Sequence, residues 1–118
     1  MSWIIEFYKT EDGEDPISVF LGSLPRKHKA KAFWEIDLLA DKCIELKEPY
    51  TKHIEDELWE LRIKLASDIS RVFYFIPTET KIVLLHDFIK KKDRTPVNEI
   101  ETAQKRLIDL ERSVYNDF

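Results

Sequence analysis

Three consecutive β-type runs in the middle of the chain set the terms for its fold. Glu60-Leu61-Arg62-Ile63-Lys64-Leu65 alternates strictly. Leu61, Ile63 and Leu65 point one way and Glu60, Arg62 and Lys64 the other, as in a strand with one buried face. The next two runs, Ile69 to Ile76 and Lys81 to Lys90, are mostly apolar at successive positions, with Ser70 and Arg71 as polar intrusions near the start of the first. A strand apolar on both faces belongs inside a sheet that is covered on each side. The intervening turns, Ala66-Ser67-Asp68 and Pro77-Thr78-Glu79-Thr80, are short enough to make the three strands an antiparallel meander.

The flanking segments supply the cover. Trp3 to Tyr8 reads as a first strand. Asp15-Pro16 is an N-cap followed by proline at the first helical position, and opens a short helix that buries Ile17, Phe20 and Leu24. A longer helix is predicted from Pro25 to about Leu46. Its buried stripe is Ala32, Phe33, Ile36, Leu39, Ala40 and Cys43, while Lys27, Lys31, Glu35, Asp37 and Asp41 take the wet side. These two helices form a hairpin. Pro49 to Glu57 is polar and reads as irregular, with Glu55-Asp56-Glu57 a solvated loop. A last helix begins at Thr95-Pro96 and buries Val97, Ile100, Ala103, Leu107, Leu110 and Val114. The expectation is one α+β domain over residues 1–118, order β-α-α-β-β-β-α. The helical hairpin and the C-terminal helix pack on a small, mainly antiparallel sheet.

Several function classes drop out. Gly13 and Gly22 are the only glycines, so a Gly-rich phosphate cradle is absent. Cys43 is the only cysteine; it lies on a buried stripe and cannot form a disulfide within the chain. His28, His53 and His86 lack metal-ligand spacing, and no metal or cofactor is expected. No serine stands in a G-x-S-x-G context. Trp3, Trp34 and Trp59 read as packing groups. The segment Met1 to Glu6 lacks the basic stretch of a signal peptide, and the longest purely apolar run, Val72 to Ile76, is far short of a membrane span. A reducing, cytoplasmic location away from membranes is the expectation.

Charge then points to the meander. The chain carries a net −4, yet residues 58–94 hold 8 Lys/Arg against 5 Asp/Glu, a net of +3. Arg62 and Lys64 share one strand face, and a short turn brings Arg71 beside them. His86 lies late on the third strand, and Lys90, Lys91, Lys92 and Arg94 follow at its exit. A strand with one charged face is often merely solvated, and a lysine-rich exit often serves solubility. An arginine inside a doubly apolar strand, by contrast, must be paired or functional. The cationic alternative suits RNA cleavage by attack of a 2′-hydroxyl on its own phosphate. That reaction needs a base, an acid and cations for the growing charge. Arg62 and Arg71 can only clamp and stabilise. Lys64 can take the proton only where crowded cations favour its neutral form, and His86 is a residue type that titrates near neutrality.

These same residues carry a resemblance. Trp59-Glu60-Leu61-Arg62-Ile63-Lys64, Ser70-Arg71-Val72-Phe73-Tyr74-Phe75, Leu85-His86-Asp87-Phe88-Ile89-Lys90-Lys91-Lys92 and Thr95-Pro96 resemble, in this order and spacing, the phage-related branch of the HigB toxins in the RelE/ParE superfamily. The resemblance implies a RelE-like fold and ribosome-dependent cleavage of mRNA in the A site, with inhibition of translation. It implies a HigA-type helix-turn-helix antitoxin as partner, with operator DNA bound only through that antitoxin. It places Arg62, Lys64, Arg71 and Lys91, or its neighbour Lys90, among the catalytic residues; Phe88, Lys90, Lys92 and Arg94 are expected along the RNA. RelE uses a tyrosine in the C-terminal segment; Thr95-Pro96-Val97-Asn98 has none, which leaves His86 as the candidate acid or base. Two other functions fit the same superfamily: a ParE-like inhibitor of DNA gyrase that cleaves nothing, and an inactive toxin-derived protein that only binds an antitoxin.

Overall fold

Asp15 starts the helical hairpin as its sequence requires. Its carboxylate accepts from the Ser18 backbone N–H at 3.1 Å, Pro16 occupies the first turn, and α1 runs Pro16–Ser23. The computed structural model describes residues 2–65, 68–90 and 97–112. Before α1 lies β1 (Ile4–Phe7), and after it α2 (Arg26–Lys42), a short 3-10 turn (Cys43–Glu45), β2 (Thr51–Glu55), β3 (Leu58–Leu65), β4 (Asp68–Phe75), β5 (Lys81–Lys90) and α3 (Val97–Leu110). The expected α+β architecture holds. Five strands form one sheet in the order β1-β5-β4-β3-β2. Only β1 pairs in parallel, with β5; the rest is antiparallel.

The two doubly apolar strands, β4 and β5, are internal, and each face of the sheet has its own core. On one face α1 and α2 bring Ile17, Leu21, Ala32, Ile36 and Leu39 against Leu61, Ile63, Val72, Tyr74, Ile82 and Leu84. On the other, Ala103 and Leu107 of α3 cover Leu58, Phe73, Phe75, Val83, Leu85 and Phe88. Each large side chain so buried contributes about 1.5–3 kcal/mol. None of the helices described is long and apolar enough to cross a membrane.

Four expectations need correction. Residues 51–55, expected to be irregular, form the outermost strand. Its polar sequence suits that place, since Lys52, His53 and Glu55 are exposed and charged side chains discourage edge-to-edge pairing. The long helix stops at Lys42, where Cys43 takes a positive φ of 43°. The stripe of α2 is rotated from the one expected: Phe33 is exposed, while Glu35 and His28 are buried with Ala32, Ile36 and Leu39. Positions 28, 32, 35, 36 and 39 are one continuous helical face; two of them are polar, and His28 is satisfied there by the Ser70 hydroxyl at 2.9 Å. Val97, expected to be buried, lies exposed in the first turn of α3. The turn residues Ala66 and Ser67, the Thr95-Pro96 start signal and Val114 lie outside the described residues.

Candidate functional site

Register across the meander builds the site. Arg62 of β3 lies opposite Arg71 of β4, and Arg71 opposite Phe88 of β5. One row to one side stand Lys64, Ile69 and Lys90; one row to the other stand Glu60, Phe73 and His86. The described side chains of all three rows, which exclude that of Lys90, face the same side of the sheet. Arg62, Lys64 and Arg71 are thus brought together, as the sequence implies.

What the sequence reading missed is the anion that organises them. Glu60 is 1% exposed and Arg71 5%. The Arg71 guanidinium donates through Nη1 to Oε1 of Glu60. Arg62 Nε approaches the same oxygen at 3.3 Å. This answers how an arginine survives inside a doubly apolar strand: it is paired with a buried carboxylate one strand away. The signal was there, because Glu60 shares the charged face of β3 with Arg62. Arg71 is thereby immobilised, while Lys64 is exposed and has no salt bridge among the described residues.

β2 begins at Thr51, opposite Leu61, and the last link on that edge is the Arg62 backbone N–H donating to the Tyr50 carbonyl at 2.7 Å. Beyond this point the outer edge of β3 opens into a cleft of about 400 Å3. Arg62 and Lys64 of β3, Ile69 and Arg71 of β4, Pro49 and Tyr50 of the preceding loop, and Lys31 and Glu35 of α2 form its walls. Four cations therefore line it. Glu35 is the only carboxylic acid among them. It is 2% exposed, its Oε2 has no hydrogen-bond partner, and burial raises its pKa to about 7 against the opposing pull of Lys31.

His86 does not line the cleft. It lies two strands from β3, hence about 10 Å away at ordinary strand spacing, beyond Phe73 and against α3. Arg106 Nη1 is 3.3 Å from His86 Nδ1. A guanidinium can only donate, so Nδ1 accepts and Nε2 carries the proton, donating to Glu99 at 3.2 Å. Burial lowers the His86 pKa, outweighing the opposite influence of Glu99. This geometry ties β5 to α3. Phe88 is 7% exposed and packs on Phe73 at 5.3 Å between ring centroids, so it belongs to the core beneath the site. Lys91, Lys92 and Arg94 lie outside the described residues, as does the side chain of Lys90.

Beside His86, Asp87 points to the opposite face. It is 8% exposed with an unpartnered Oδ2. Burial raises its pKa to about 8, although Arg106 pulls it down. A raised acid pKa favours the protonated folded state. Its stabilising contribution is therefore complete below 3.8, the ordinary value of an aspartic acid, and is lost as the pH rises through about 8. Asp87→Asn removes the burden of ionisation. It is expected to raise stability by about 2 kcal/mol or more at alkaline pH and by almost nothing in acid, where Asp87 is already neutral. Urea midpoints of the two proteins at about pH 4 and about pH 8.5, near the two ends of this range, check this.

No curated protein matches the chain. A model of the phage-derived Gp49-like protein family (DUF891) matches residues 19–108, a span from α1 to α3 that contains every wall of the cleft. That family is associated with the toxins of toxin–antitoxin systems. Because the match covers most of the chain and both layers of helix around the sheet, this protein belongs to the phage-derived Gp49-like family, within the RelE/HigB-like toxin clan.

Proposed function

We propose that this protein is the toxin of a type II toxin–antitoxin pair and acts as a ribosome-dependent mRNA endonuclease, silenced by a HigA-type helix-turn-helix antitoxin. The observation that carries this reading is the convergence of Arg62, Lys64 and Arg71 on one open cleft. A surface that only binds a protein has no need to hold three cations at one point. A phosphodiester passing to a five-coordinate state does, because negative charge grows on its non-bridging oxygens. Arg71, fixed by Glu60, supports the arrangement without reorganising. Arg62 has 27% of its side chain exposed and, with Lys64, can reach the phosphate from the cleft. The net charge of −4 gives little long-range attraction to free RNA. The ribosome, holding mRNA in the A site, supplies the positioning that the toxin lacks. Operator DNA is reached only through the antitoxin.

Induced expression followed by mapping of transcript ends tests the proposal. Growth arrest with cuts inside translated messages, and none in untranslated RNA, is the expected result. Arrest with intact messages and altered supercoiling would replace the nuclease with a ParE-like gyrase inhibitor. Unchanged growth with abundant protein would replace it with an inactive, antitoxin-binding relative.

A further inference from the structure

We infer that Glu35, on α2, is the general base of the cleft and takes the proton from the attacking 2′-hydroxyl; this rests on the nuclease reading above. Cleavage needs an acceptor beside the cations, and the other candidates are committed elsewhere. Glu60 is held by Arg71 and Arg62. His86 faces α3 and its free lone pair meets Arg106. Asp87 is not among the residues that form the cleft walls. An ammonium or guanidinium has no lone pair to offer. Among the described residues, Glu35 is the carboxylic acid that lines the cleft, and its buried Oε2 has no hydrogen-bond partner. A buried acid without a partner is unfavourable for folding alone, and such groups concentrate where chemistry needs them.

The charged and titratable groups around it are Lys31 on its own helix, Arg62 and Lys64 on β3, Arg71 on β4 and Tyr50 in the loop; α1 contributes no charged side chain. Burial outweighs Lys31 and brings the acid to about 7, where it can accept and release a proton at working pH. In the step, the 2′-hydroxyl proton passes to the Glu35 carboxylate and the 2′-oxygen bonds to phosphorus. The bond from phosphorus to the 5′-oxygen breaks, leaving a 2′,3′-cyclic phosphate and a 5′-hydroxyl. The leaving oxygen takes its proton from the Lys64 ammonium, which regains one from solvent as Glu35 releases its own.

Single-turnover cleavage on mRNA-programmed ribosomes, followed across pH, is the test. Wild type should speed up as the pH rises toward neutrality and then level off. Glu35→Gln, which keeps the shape, should lose about 100-fold and the rising limb with it; Glu35→Asp should restore part of the rate and the limb. If Glu35→Gln cleaves within a few-fold of wild type on the same pH profile, Glu35 is not the base. A carbon-13 titration of the Glu35 carboxyl in the free protein needs no variant: a midpoint near 7 is expected, and an ordinary carboxylate midpoint overturns the inference. If the wild type itself leaves ribosome-bound mRNA whole, the nuclease reading has failed, and the inference falls with it.

Discussion

Arg71→Ala should destabilise the fold by about 3–5 kcal/mol, the largest effect of any substitution at the site. The reason lies in Glu60, which stays behind. It is 1% exposed, and its Oε1 is the atom to which Arg71 donates. Without Arg71 that oxygen keeps Arg62, whose Nε at 3.3 Å makes a poorer contact from a wetter position. A carboxylate so deprived must ionise in a low-dielectric interior, take up a proton, or draw water between β3 and β4; each route costs free energy. Domains of this size hold only about 5–15 kcal/mol in all. Much of an Arg71→Ala population can therefore be unfolded, and its loss of toxicity would say little about chemistry. The companion variant separates pairing from burial. Glu60→Leu combined with Arg71→Met removes both charges and keeps comparable volume, so it should recover most of the loss. Urea unfolding of the wild type, the single variant and the double variant measures both effects. A single-variant loss below about 1 kcal/mol would mean that the pair is no more than a surface contact.

The contrast between Arg71 and its neighbours shows how far the sequence could be read. Alternation at Leu61, Ile63 and Leu65 gave a face to β3, and continuous apolarity placed β4 and β5 inside the sheet, because those patterns follow directly from burial. A two-residue spacing and a short turn were enough to bring Arg62, Lys64 and Arg71 together. Three features resisted for physical reasons. β2 is an edge strand, and Lys52, His53 and Glu55 carry the polarity of a loop because one side of it meets solvent. His28 and Glu35 occupy inward positions of α2 that a count of apolar residues assigns to water. Their burial depends on Ser70 and on the cleft, and so on tertiary structure alone. Glu60 was visible as a charge but not as a partner, since its pairing with Arg71 needs the β3–β4 register. His86 has the titration range suited to a catalyst, yet the choice of its neighbours, Glu99 and Arg106, is made by where α3 docks.

Lys64→Ala should do the opposite of Arg71→Ala: remove about 100- to 1,000-fold of the cleavage rate while leaving stability within about 0.5 kcal/mol. Lys64 is exposed, so truncation opens no cavity and strands no buried charge. Its ammonium instead faces the cleft where phosphate charge would grow. The size of the effect follows from position, since a cation set beforehand against a developing charge is worth far more than one in bulk water. A rival account is long-range attraction: any lost lysine makes a chain of net charge −4 less welcome to RNA. Lys27→Ala discriminates between them. Lys27 is an exposed residue of α2 that lines no wall of the cleft, and its loss changes the net charge by the same amount. Steering through the overall field would make the two variants equally slow and abolish the difference at high salt. Local stabilisation would leave Lys27→Ala near wild type and keep Lys64→Ala slow at every ionic strength, with Lys64→Arg recovering only the share that charge supplies, since a guanidinium does not give its proton to the leaving oxygen. Equal rates for Lys64→Ala and wild type on programmed ribosomes would remove Lys64 from the chemistry and, with it, the cationic cleft as the place where the message is cut.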